Sequence, residues 1–206
     1  MKRAGRLMAA AVAVVMCMGL AACGKDFDAT GYTKSVLDAN YHGEYEDYAK
    51  FRDLSEKEAK AEIEDGMDAQ VDSAFAGQSI SDESKEKYKT AVIGIMKLSK
   101  YKVKEAKEQD DGSYIVPVEI EPVDAFSTAN DVIEKITKKY SKKGKDLSDP
   151  NVLVDILVDA LNRGIKKNTY GEAVTVEVKV AQDGEKAYGI GEDEVSALES
   201  AMFPGM

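Results

Sequence analysis

Val174-Thr175-Val176-Glu177-Val178-Lys179-Val180-Ala181-Gln182-Asp183-Gly184-Glu185-Lys186-Ala187-Tyr188-Gly189-Ile190 decides the fold class. Four valines at every second position alternate with Thr175, Glu177 and Lys179, so one strand face is apolar and the other polar. Asp183-Gly184 supplies the positive-φ residues of a tight turn, and Ala187 to Ile190 returns as a second strand. Such alternation belongs to an antiparallel sheet with one covered and one wet face.

A second stretch of period two lies upstream. Tyr101 and Val103 alternate with lysines, Asp111-Gly112 makes the turn, and Tyr114, Val116, Val118 and Ile120 share one face. Pro117 falls inside that strand and donates no ladder hydrogen bond, which predicts an edge position or a bulge.

Elsewhere the period is that of a helix. Phe27 to Asn40 reads as a first helix stopped by Gly43, and Glu44 to Leu54 as a short second one with Tyr45, Tyr48 and Phe51 on one face. Ser55 and Glu58 form a capping box that opens a long helix, buried through Ile63, Met67, Val71, Ala74 and Phe75 and stopped at Gly77. Ser81-Asp82-Glu83 opens the next, with Tyr88, Ala91, Val92, Ile95 and Met96 inward.

Two helices separate the hairpins. Phe126, Ala129, Ile133, Ile136 and Tyr140 mark one, ending near Gly144. Asp149-Pro150 caps the other, with Leu153, Ile156, Leu157, Ala160, Leu161 and Ile165 expected inside. Glu192 to Phe203 closes the chain through Val195, Leu198 and Met202. The prediction is α+β: an antiparallel four-stranded sheet from two hairpins, helices on one face, and a helix pair inserted between the hairpins.

The N-terminus carries an address. Lys2, Arg3 and Arg6 precede the apolar run Leu7 to Leu20, a secretory signal too short and too one-sided in charge for a membrane span. Leu20-Ala21-Ala22-Cys23 resembles the lipobox of bacterial lipoproteins. That resemblance implies cleavage before Cys23, lipidation of its thiol with a diacylglyceryl group, and a membrane partner on the extracytoplasmic face. Two acyl chains anchor stably where one binds marginally. Met16 is bulky where the pattern needs a small residue, which assigns Cys17 to the discarded segment. The expected organisation is residues 1–22 as signal peptide, 23–26 as tether and 27–206 as one domain. With the lipobox, the helical first half and the strand-turn-strand of 174–190, the chain resembles small Gram-positive lipoproteins, some of which carry cystatin-like or NTF2-like α+β domains. The helix pair between the hairpins departs from their plain strand order, and the resemblance supplies no catalytic residues.

Composition narrows the function. The 206 residues hold 28 Lys+Arg against 38 Asp+Glu. Removing the first 22, with their three bases, leaves 184 residues with 25 bases against 38 acids, a balance of −13. Such a surface repels phosphates, so nucleic acid is not an expected partner. The length is short for a two-lobed solute-binding protein and sufficient for an unstapled core. A lipidated Cys23 leaves no thiol for disulfides, nucleophiles or metal sites.

His42 is the sole histidine, and no Gly-x-Ser-x-Gly elbow accompanies it, so the expectation is a half-exposed residue at a helix end. No twelve-residue calcium loop or glycine-rich phosphate loop occurs. No catalytic, cofactor or metal residues are therefore predicted. Lys138, Lys139, Lys142, Lys143 and Lys145 form a basic run that could touch anionic surfaces, or simply complement a helix C-terminus. The expected function is a binding or interaction module for an envelope protein, peptide or polymer. A carboxylate-based hydrolase and a small-ligand carrier are the alternatives.

Overall fold

The computed structural model describes residues 27–125, 129–182 and 187–205. The lipobox, Cys17, Cys23 and the Asp183-Gly184 turn lie outside them. The element order is α1 (Ala29–Leu37), a π-helical turn (Asp38–His42), α2 (Glu46–Arg52), α3 (Glu56–Ala74), α4 (Asp82–Met96), β1 (Lys100–Val103), β2 (Lys107–Glu108), β3 (Tyr114–Glu121), α5 (Ala129–Lys142), α6 (Pro150–Lys167), β4 (Val174–Gln182), β5 (Tyr188–Ile190) and α7 (Glu192–Met202). The α+β class, the antiparallel sheet and the inserted helix pair are as the sequence predicts.

Local chemistry sets most boundaries. Asp28 caps α1 through the Gly31 amide. Ser55 and Glu58 close a reciprocal capping box on α3, Ser81 caps α4, and Asp149 with Pro150 starts α6. The first helix runs on as predicted to Gly43, which stops it in the left-handed region at φ 73°, but after Leu37 it widens from α to a π turn.

The sheet order is β1-β3-β4-β5, with β2 also on β3. The two hairpins thus join through β3 and β4, in register from Tyr114↔Val180 to Ile120↔Val174. Pro117 is not at an edge. It sits in the central strand opposite Glu177, and its missing donor faces a bulge on the other side. Val103 pairs with Val118 and Lys107 with Ile115, so Lys104, Glu105 and Ala106 oppose only Val116 and Pro117. The Lys104 amide reaches the Pro117 carbonyl at 2.9 Å, and the displaced Ala106 amide donates to Thr30 Oγ1 of α1 at 2.8 Å.

Tyr114, Val116, Val118 and Ile120 of β3 are buried beneath α1 and α7, as are Val178 and Val180. The expected cover on the valine strand is incomplete, because Val174 is 43% exposed. Tyr32, Tyr41 and Tyr48 belong to the core. Phe27 stacks on Tyr188 with ring centroids 4.1 Å apart, fixing the start of the domain to the sheet.

α3, α4, α6 and α5 form a helical array in that order. α4 and α6 run in the same direction: the Ser81 amide meets Asn151 Oδ1 at 2.8 Å at one end, and a Cβ on Gly94 would lie 2.8 Å from Ile165 Cδ1 at the other. Ile165, expected inside, is only partly buried. Leu153 departs from its predicted burial at 43% exposure. It lies in the first turn of α6, level with the polar first turn of α4, so Val152 and Val154 take the inward positions. Ile136, Val152, Ile156 and Ala160 make a small second core between α5 and α6.

Candidate functional site

The π turn gathers the polar groups that the sequence scattered. Lys34, Asp38 and His42 recur every fourth residue along α1 and its continuation, and Asp38 is 7% exposed. Lys34 Nζ bonds its carboxylate, and that bond raises the lysine pKa. The Tyr101 hydroxyl of β1 donates to Asp38 Oδ1 at 2.7 Å. Burial, and then this bond to a carboxylate, pushes the Tyr101 pKa far up, so the phenol stays protonated.

His42 stacks on the Tyr101 ring at 5.1 Å between centroids and 11° between planes. Its Nδ1 lies 3.3 Å from the Tyr101 oxygen and 4.0 Å from Asp38 Oδ1. Nε2 lies 3.1 Å from the Ser99 carbonyl oxygen, which can only accept, and 3.1 Å from Ser99 Oγ. The half-exposed histidine at a helix end, expected from sequence, is found with a side chain 32% exposed. Its partners Asp38, Ser99 and Tyr101 were missed. The four-residue spacing of Lys34, Asp38 and His42 was the available signal.

Behind this cluster the π turn, α3 and α4 enclose a cleft of about 340 Å³. Ile63, Met67 and Ile93 contribute apolar surface, and Lys60, Lys89 and Lys97 with Glu64 and His42 line it as polar groups. Lys60 lies 3.7 Å from Glu64 and Lys89 2.5 Å from Asp68. Ser99 does not line the cleft and is 4% exposed. The arrangement has the order of a carboxylate–histidine–serine relay, but the carboxylate is beyond hydrogen-bond range of the ring and the hydroxyl is enclosed.

The predicted lysines are placed at the far edge of the helical array. Lys138, Lys139 and Lys142 lie in the last turns of α5 and Lys143 and Lys145 just after it, all exposed. Lys138 pairs with Glu134. Residues 129–167 hold nine Lys/Arg against six Asp/Glu, whereas the remainder from residue 23 holds 16 against 32. The structure does not bring this run to the cleft. Among the described residues no cluster of three or more His, Cys, Asp or Glu could hold a metal, and no helix is long and apolar enough to cross a membrane.

No protein-family model matches the chain, and no curated protein does. Among solved structures, the fold is similar to that of ycdA from Bacillus subtilis, provisionally described as a lipoprotein, with a TM-score of 0.58 at 20% identity. The match covers 85% of this chain and 56% of the other. The chain therefore spans little more than half of the protein whose fold it resembles.

Proposed function

We propose that the chain is a membrane-anchored lipoprotein of the extracytoplasmic face whose single domain binds an envelope protein, peptide or polymer. Leu20-Ala21-Ala22-Cys23 supports the anchor, and the fold likeness to a protein provisionally described as a lipoprotein agrees with it. The finer likeness to cystatin-like and NTF2-like domains is part of the proposal, supported by an antiparallel sheet under helices.

The observation that carries binding, in preference to hydrolysis, is the character of the cleft. Among the described residues Glu64 is the one acid that lines it, where the usual glycoside hydrolases set two convergent carboxylates. Ser99, the hydroxyl beside His42, is enclosed. The cleft opens to solvent, which supports a contact site in preference to a carrier's enclosed chamber.

Two experiments test this. Cys23→Ser should abolish labelling by a fatty-acid probe and remove the chain from the membrane fraction; continued labelling overturns the anchor. A photo-crosslinker at Lys97, on the cleft, should give a discrete adduct in intact cells, and one at Lys102, on β1, should not. Equal adducts, or none at Lys97, overturn the cleft as the binding surface.

A further inference from the structure

The sheet has an open edge with a defined length. In a strand, the N–H and C=O of one residue point to the same side. Pro117 directs its carbonyl towards Lys104, so Pro117 and Glu177 face away from each other in the β3–β4 ladder. Thr175, Glu177 and Lys179 therefore point their backbone groups outward. Ala181 does so too, and β5 pairs it with Gly189. β5 covers only Val180, Ala181 and Gln182, and among the described residues no strand pairs with Val174 to Lys179 on that side.

α7 does not close this edge. It leaves β5 beside Val180, yet at its other end the Met202 carbonyl accepts from the Val123 amide at 2.7 Å. The Pro122 carbonyl and the Asp124 amide engage Gly171 and Thr169, so the Val123 amide points to the opposite, β1 side. The helix thus crosses the sheet face diagonally, covers Val178 and Val180, and leaves the corner at Val174 exposed.

We propose that this edge pairs, antiparallel, with the same edge of a second copy of the chain, about a two-fold axis at Val176. The open stretch is centred there, and in that register Thr175 of each copy exchanges backbone hydrogen bonds with Glu177 of the other. Val176 meets Val176, and Val174 meets Val178 of the second copy, so the valine row continues across the junction and the exposed corner is covered. A register centred on Glu177 sets Glu177 against Glu177 and drives Val174 into the position held by β5. One centred on Thr175 sets Val178 against Glu172. Anchoring at a membrane would raise the encounter frequency, but the pairing itself does not depend on the lipid.

The full chain with Val176→Cys, expressed in a bacterial cell and treated with a mild oxidant, should form a disulfide dimer, because residues facing each other across a non-hydrogen-bonded antiparallel pair lie about 4.5 Å apart at Cα. Val174→Cys should not link alone and should link when combined with Val178→Cys. The native chain sets the background from Cys17 and Cys23. Adding Glu177→Pro to Val176→Cys removes an amide used only in the dimer and should reduce linking about tenfold or more. A cooperative melt with its midpoint well above the temperature of the experiment separates this effect from unfolding. Failure of Val176→Cys to link, linking undiminished by Glu177→Pro, or linking to a different protein each overturns the proposal. A chain released into the medium would overturn the anchor, while the disulfide would still report the edge.

Discussion

The two flanks of the sheet are treated in opposite ways. On the β1–β2 side, Lys100, Lys102, Lys104 and Lys107 crowd a short edge, a bulge bends it, and Thr30 of α1 takes the displaced Ala106 amide. Tyr101 and His42 tie its first strand to the π turn. Each is a known means of keeping an edge from recruiting another strand. On the β4 side, Val174 to Lys179 runs straight against β3, with no proline and with a valine exposed at its end. One sheet thus carries one protected flank and one available flank, and the difference lies in single backbone positions.

Proline at neighbouring positions of β4 separates the two sides most sharply. Val178 directs its amide inward, to the ladder with Val116, so Val178→Pro should cost about 3 kcal/mol or more. Glu177 directs its amide outward, and Glu177→Pro should cost the monomer less than about 1 kcal/mol. Urea unfolding measures both. Equal losses would mean that the outward amide of Glu177 is already engaged within the monomer.

Much of this contrast was hidden from the sequence for a physical reason. Alternation in Val174 to Val180 reveals which residues share a face. It does not reveal whether a helix lies over them, because the path of α7 is set by a distant contact between Met202 and Val123. Pro117 signalled a missing donor, and only the pairing of β3 with β4 shows that it faces the bulge. Caps such as Ser55 with Glu58 and Asp149 with Pro150 were legible because their partners lie within three residues. The candidate site was half legible: Lys34, Asp38 and His42 share a helical spacing, but Tyr101 and Ser99 reach them from 63 and 57 residues away.

The tie between the protected flank and the π turn should respond next most strongly. Asp38→Ala takes the carboxylate acceptor from the half-buried Tyr101 hydroxyl, which keeps His42 Nδ1 at 3.3 Å, and should cost about 1.5 kcal/mol. Tyr101→Phe leaves Asp38 with Lys34 and should cost about 1 kcal/mol. The double variant should be more stable than the sum of the two predicts, since it removes donor and acceptor together. Strict additivity in urea unfolding would sever β1 from the π turn energetically.

Thr30→Val tests the bulge itself at nearly constant volume. It removes the acceptor for the Ala106 amide and should cost about 1 kcal/mol. Hydrogen exchange at Ala106 should accelerate, while exchange at Val116 in the central strand should change little. Equal acceleration at both would show that the bulge opens only when the whole sheet does.

The smallest effect joins the two flanks. The Ser113 hydroxyl and amide hold the Asp111 carboxyl at 2.5 and 3.0 Å, and Lys179 of β4 approaches it at 3.2 Å. These bonds, the two from Ser113 first, lower its pKa to about 2, against about 3.9 in an unfolded chain. A carboxylate lowered in the folded state stabilises fully above the unfolded value and loses that contribution as pH falls through the folded one. The β2–β3 turn should therefore weaken between about pH 4 and pH 2, and Asp111→Asn should remove that component of the acid response. NMR titration of the Asp111 carboxyl measures it directly, and a midpoint near 3.9 would sink the assignment. Salt should screen the exposed Lys179 contribution and spare the Ser113 bonds. A midpoint that barely moves in high salt would locate the stabilisation within the turn, and leave the open flank electrostatically independent of the closed one.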